Sequence, residues 1–296
     1  MSTVPLLCRG LVDDAALFPP GNAAMADAVP AHAEHRRAWY APLVGPFLCP
    51  ASRLAELAEL AGATGTPLGV GVIVDTGTGG IEPAVASVRA DPLLVLRSID
   101  VPLRGEPLAE AARRAAIALD AALNDLRDDV AGDVAAEWDG LPAYLEVPRG
   151  PGWRRAMEAV AETGYRAKLR TGGVTPDAFP SEAEVAAFIL ACLELDVPFK
   201  FTAGLHRAVR NTTDDGIEQH GFVNVLLAVA DALDGADGPT IERTLADRDA
   251  ARITARAGAL PSGRAAGVRS WLASYGSCSI EEPVDDLLAL GLITKE

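Results

Sequence analysis

Lys168 and Lys200 each sit inside a short apolar run, and the residues around them alternate in type. Successive side chains of a β-strand point to opposite faces, so this alternation sorts them. Arg166 and Arg170 share the face of Lys168, while Ala167 and Leu169 take the other. Thr202, Gly204 and His206 share the face of Lys200, against Phe199 and Phe201. The run 142–147 adds Tyr144 and Glu146 on one face and Leu145 and Val147 on the other. Placed on neighbouring barrel strands, these runs bring two lysines, an arginine and a glutamate into one interior. Burying such ions costs several kcal/mol each unless they are paired or serve a ligand. Three readings follow. Glu146 pairs with Lys200 in a structural polar core; a neighbouring cation lowers a lysine pKa and leaves an amine for Schiff-base chemistry; or the cations clamp a substrate carboxylate or phosphate.

The segments Lys168-Leu-Arg-Thr171-Gly172 and Lys200-Phe-Thr-Ala-Gly204 resemble the late strands of barrel aldolases of the deoxyribose-phosphate aldolase type. In that family, lysines on two adjacent strands are followed by Thr or Ser and Gly. The resemblance implies Lys168 as the Schiff-base lysine and Lys200 as the cation that tunes it. It implies a carboxylate such as Glu146 or Asp100 as the proton carrier. Arg170, between the lysine and the glycine turn, is a charge added to that pattern.

Two further groups of residues compete for a role. Asp13 and Asp14 are adjacent, so only one can face the interior, and Phe18-Pro19-Pro20-Gly21 stiffens the turn after them. Either serves as an acid/base group, a substrate contact or a metal ligand, or simply caps or meets solvent. The four histidines supply little for a metal: His32 and His35 fall on a predicted helix at 27–40 with a surface role, and no metal site is expected. His206 lies beyond Lys200 and Thr202, at the mouth. Gly276, Ser277, Cys278 and Ser279 end the last strand, and Ser279 with Glu282 has capping-box spacing. The same segment suits an anion site at a helix N-terminus, or a Cys278 nucleophile with His206 as base in a cofactor-free hydrolase or transferase. His220 and Asn224 read as surface or interface polarity.

The elements that must position these groups are eight Val-, Leu- and Ile-rich runs at 6–12, 46–50, 68–74, 93–99, 142–147, 165–170, 198–203 and 270–275, separated by Ala-rich amphipathic stretches. That alternation predicts an α/β protein, a single-domain (β/α)8 TIM-type barrel over 1–296. Ser52 and Ser181 are expected N-caps. The stretch 207–262 predicts a helical insertion or lid, with helices at 216–233 and 241–257. Gly77, Gly79 and Gly80 lack the spacing of a dinucleotide fingerprint, and no cofactor is expected.

Composition narrows the partners. A net charge of −15 without a basic stripe argues against nucleic acid and anionic membranes. Cys8, Cys49, Cys192 and Cys278 form no CxxC pair, which suits a reducing compartment. The start of the chain lacks a signal-peptide pattern and no long apolar stretch occurs, so a cytoplasmic location is expected. The expected reaction is aldolase or lyase chemistry on a small anionic carbonyl or carboxylate metabolite. The alternatives are the Cys278/His206 enzyme and a non-catalytic anion-binding barrel, with a homo-oligomer as a possible assembly.

Overall fold

The computed structural model describes residues 4–105, 107–128 and 141–295. Eight parallel strands form the barrel: β1 (Val12–Asp14), β2 (Val44–Pro50), β3 (Leu68–Ile73), β4 (Leu94–Pro102), β5 (Ala143–Glu146), β6 (Arg166–Arg170), β7 (Phe199–Thr202) and β8 (Leu272–Ser277). They close in the order β1-β8-β7-β6-β5-β4-β3-β2, the (β/α)8 architecture that the alternation predicts. The chain folds as two compact units, one of Ala24–Pro30 and Pro46–Lys168, the other of Met1–Ala23, Ala31–Gly45 and Leu169–Glu296. Among the described residues no helix is long and apolar enough to cross a membrane.

In the first unit, β3 pairs with β4, and β4 with β5, in parallel register. Helices α2 (Leu54–Thr64), α3 (Ile81–Ala90), α4 (Leu108–Asp128) and α5 (Trp153–Thr163) alternate with these strands. Their apolar positions recur at helical spacing; Ile81, Ala84, Val85 and Val88 of α3 are all buried. Ser52 does not cap α2. It lies in a 3-10 turn, and its hydroxyl donates to Asp75 Oδ2 while its N–H donates to Asp75 Oδ1.

In the second unit, β7 lies between its paired neighbour β8 and the packing helix α6 (Glu182–Glu194). Phe199 and Phe201 meet Phe188 of α6, with ring centroids 5.5 and 5.8 Å apart. That contact turns Lys200 and Thr202 to the face away from the helix. Ser181 caps α6 as the sequence predicts, in a full capping box with Glu184. Helix α7 (Phe222–Leu233) is buried from Phe222 to Ala230 and apolar there except at Asn224, so it packs as core.

The stretch 207–262 differs from its expectation. It holds a two-residue antiparallel ladder, Asn211–Thr212 with Glu218–Gln219, and then α7, α8 (Gly238–Ala246) and α9 (Ala250–Gly258), with α10 (Ser262–Trp271) following. The reason is capping. The Asp249 side chain accepts from Arg252 N–H and starts α9 inside the single helix expected at 241–257, while the Asp237 side chain accepts from Thr240 N–H and starts α8 at Gly238. Because Trp271 is still helical, β8 begins at Leu272. At the other end of the chain, Leu6–Cys8 is a 3-10 turn and β1 begins only at Val12. Helix α1 (Met25–His35) stops short of Tyr40, and α11 (Glu281–Ala289) closes the series.

The loops after β6 and β7 touch at backbone distance. Gly204 has φ +73°, and a Cβ there would lie 2.5 Å from the Thr171 carbonyl oxygen. Gly65, which ends α2, has φ +62° and ψ 14° with open space around it. Left-handed backbone costs an L-residue about 1–2 kcal/mol. Gly65→Ala should lose about that much in urea unfolding, whereas Gly204→Ala should lose clearly more, because the collision adds to the backbone cost. Equal losses would show that the two loops separate freely.

Candidate functional site

Lys168 occupies the middle of β6, in register with Glu146 of β5, which in turn is in register with Pro102 of β4. Its Nζ lies 2.9 Å from Asp100 Oδ2, as a hydrogen bond, and 3.0 Å from Glu146 Oε2. Lys168 is 2% exposed and Asp100 0%, while Glu146 retains 9%. One ammonium thus sits between two carboxylates from two neighbouring strands. The structural-core reading paired Glu146 with Lys200, but its ion pair is with Lys168. Arg166 packs over the Tyr144 ring, its Cζ 5.8 Å from the centroid. Arg170 is exposed at the end of β6, where parity had placed it in the interior with Lys168. A strand's last residue has left the packed layers, so alternation there no longer means burial.

Lys200 is 1% exposed, and its Nζ donates to Asp13 Oδ2 at 3.2 Å. Ser274 of β8 donates to the same oxygen at 2.8 Å. The β1–β8 register sets Asp13 against Gly276, which places Ser274 on the same face one step before it. The adjacent Asp14 turns the other way. Its Oδ2 meets His32 Nδ1 at 2.9 Å and its Oδ1 accepts from Ala16 N–H. His32 is 2% exposed, which overturns its surface role: α1 turns it inward onto a buried carboxylate. Thr202 is buried on β7, and its carbonyl accepts from Thr171 N–H.

Beyond β7 and β8 lies a pocket of about 540 Å³ whose wall includes His206, Cys278, Ser279 and Glu282. Asp13, Asp14, Lys200, Gly276 and Ser277 are not in its wall. His206 Nδ1 lies 3.0 Å from Glu282 Oε2 and 3.8 Å from Cys278 Sγ. A nucleophile–base–acid relay needs the thiol and the carboxylate on opposite ring nitrogens, whereas both face the same one here. Burial also pushes the Cys278 thiol up from its ordinary pKa, and the charges of Glu282 and Asp14 add to that shift. The thiolate is therefore disfavoured.

The Ser279–Glu282 capping box forms by half. Ser279 Oγ accepts from Glu282 N–H, but the Glu282 carboxylate goes to His206, and Ser279 N–H goes to Ser277 Oγ. Among the described residues no group of three or more His, Cys, Asp or Glu side chains is placed to hold a metal ion.

A polar knot absent from the sequence reading closes the base of the short ladder. His220 and Asn224 are fully buried, which overturns their surface assignment. Asn224 Oδ1 accepts from Arg210 N–H, and its amide donates to the carbonyls of Thr244 and Asp247. Arg210 is paired with Glu182 Oε1 at 2.5 Å. His220 Nε2 lies 2.8 Å from the Pro180 carbonyl and Nδ1 lies 3.2 Å from an Arg210 nitrogen. Those partners require a neutral ring with its proton on Nε2.

No protein family matches the chain, and no curated protein matches it. Among solved structures it is similar to the Yersinia pestis DHPS with pterine-sulfa conjugate Compound 16, at 11% identity and a TM-score of 0.41, over 98% of this chain and 97% of that one. A likeness that weak carries no function across. What stands on the fold alone is a (β/α)8 barrel with ion-paired lysines in β6 and β7.

The His220 knot has a pH signature. Burial, then the Arg210 charge, hold the histidine below its ordinary pKa of 6.5, although the Pro180 carbonyl, Glu182 and Glu184 oppose this. A depressed folded-state pKa means that its contribution to stability is complete above 6.5 and is lost as the pH falls through the lower folded value. The urea midpoint should drop between pH 7.5 and 5.5 by more in the natural protein than in His220→Gln, which keeps a donor and an acceptor but does not titrate. Equal drops in the two proteins would exclude His220 as a source of acid sensitivity.

Proposed function

We propose that this barrel is a lyase of aldolase type, with Lys168 as the amine that forms a Schiff base with a small carbonyl metabolite. The observation that carries it is where the lysines are. Lys and Arg together number 26, but only Lys168, Lys200 and Lys295 are lysines, and two of those three are buried within strands. A chain that uses arginine for its other cations spends lysine where a compact amine able to lose its proton is useful. Arginine stays protonated and forms no imine.

The two carboxylates at Lys168 suit the proton movements. The ammonium passes a proton to Glu146, and the free amine attacks the substrate carbonyl carbon. The same carboxylic acid returns the proton as water leaves, which gives a protonated imine. A base then takes the proton of the substrate β-hydroxyl, the carbon–carbon bond breaks, and its electron pair enters the imine to form an enamine. Protonation of the enamine and hydrolysis of the resulting imine release the second carbonyl product and restore the lysine. Glu146 retains the greater exposure, so we assign it the exchanges with substrate, and Asp100 the task of holding Nζ. Arg170, two residues along β6 and exposed, suits an anionic group on the substrate. Lys200 is held by Asp13 and Ser274, which suits a fixed cation better than a second nucleophile. The rival built on Cys278 and His206 is weakened by the raised thiol pKa and by the single ring nitrogen that faces both partners.

Borohydride reduction in the presence of acetaldehyde, dihydroxyacetone or pyruvate, followed by peptide mass spectrometry, tests this reading. A stable adduct is expected on Lys168 with at least one of them. Lys168→Arg keeps a cation between the two carboxylates and should fold, as its Tm will show, but should lose the adduct. Labelling confined to Lys295 or the N-terminal amine in the natural protein would overturn the proposal.

A further inference from the structure

The pocket beyond β7 and β8 has a chemistry of its own. Its volume, about 540 Å³, falls in the range of small-molecule sites, about 300–1,000 Å³. Such sites are mostly apolar, whereas this wall is polar and holds no Phe, Tyr or Trp, so it offers no platform for a flat aromatic ligand. Asn211 and Gln219 stand directly opposite each other across the short ladder and both line it. Asn211 commits one amide hydrogen to the Val209 carbonyl, which leaves its own oxygen as an acceptor. Among the described residues no hydrogen bond engages the Gln219 amide. Across the cavity, Glu282 uses one carboxylate oxygen on His206 and Ser279 keeps a hydroxyl hydrogen to give.

The charge is of the wrong sign for an anion. Barrels often bind phosphate after strands seven and eight, at a helix N-terminus with free N–H groups. Here Glu281 and Glu282 occupy the first turn of α11 and Asp214 faces the same pocket. Arg207, the cation in the wall, is paired with Asp286. The N–H groups of Ser279 and Glu282 are taken by the hydroxyls of Ser277 and Ser279. What is left is a set of neutral amides, a hydroxyl and carboxylate oxygens, donors beside acceptors, spaced around a cavity. Vicinal hydroxyl groups, each both donor and acceptor, match that set.

We propose that this pocket binds an uncharged polyhydroxylated ligand, a sugar or sugar-like polyol, and rejects phosphate. The proposal does not depend on Lys168 being a nucleophile. Cys278 supplies the readout, because it lines the pocket and is partly exposed while Cys8, Cys49 and Cys192 are buried. The rate of its alkylation by iodoacetamide is followed by peptide mass spectrometry with D-glucose, D-xylose, myo-inositol or inorganic phosphate present. At least one polyol should slow alkylation by the factor 1 + [L]/Kd, about threefold at twice Kd, and phosphate should not. In Asn211→Ala/Gln219→Ala, shown to be folded by its Tm, the ratio of rates with and without that polyol should return to one. Protection by phosphate, no protection by any of the three polyols, or protection that survives the double substitution would each overturn the proposal.

Discussion

A buried ammonium has to be neutralised where it sits, and in this barrel that requirement ties strands together. Lys168 draws one carboxylate from β4 and one from β5, and Lys200 draws Asp13 from β1, with Ser274 of β8 on the same oxygen. Removing one partner of such a pair typically costs about 3–5 kcal/mol, because the charge left behind has neither water nor a counter-ion. A one-residue slip of β6 or β7 would turn its lysine toward the helices and its apolar residues inward. The pairs therefore discriminate against wrong registers at least as much as they stabilise the right one.

The segments after β7 and β8 are held by different means. His206 reaches Glu282, while Arg207 and the Ala208 N–H both reach Asp286 of α11. A few residues on, Arg210, His220 and Asn224 anchor the ladder to Glu182, the Pro180 carbonyl and the carbonyls of α8 and its end. These contacts hold the loop rim through the carboxylates of Glu182, Glu282 and Asp286 and the carbonyls of Pro180, Thr244 and Asp247. They also concentrate carboxylates at the rim, in keeping with the overall charge of −15.

Much of the barrel was legible because its signals are local. The burial of Lys168 and Lys200 within their strands, the Phe199 and Phe201 pattern, and the Ser181–Glu184 cap each depend on residues within a turn or a few strand positions, and each takes the predicted form, whereas Arg170 at the strand's end does not. Where reading failed, the deciding partner was distant in sequence. His32 looked like a surface histidine until α1 brought it to Asp14, and His220 and Asn224 until the fold wrapped them around Arg210. The single helix expected at 241–257 divides at the Asp249 cap, a signal that is local to the sequence.

By itself the sequence determined the class of fold and the face of β6 and β7 that carries Lys168 and Lys200, because backbone periodicity is a property of neighbouring residues. Only the tertiary structure decided which carboxylate neutralises which lysine. The sequence left Glu146 open to either lysine; it pairs with Lys168, and Asp13 meets Lys200. Parity restricts a side chain to a face, but ion pairing depends on register and height between strands far apart in the chain, and those are set by how the whole barrel closes.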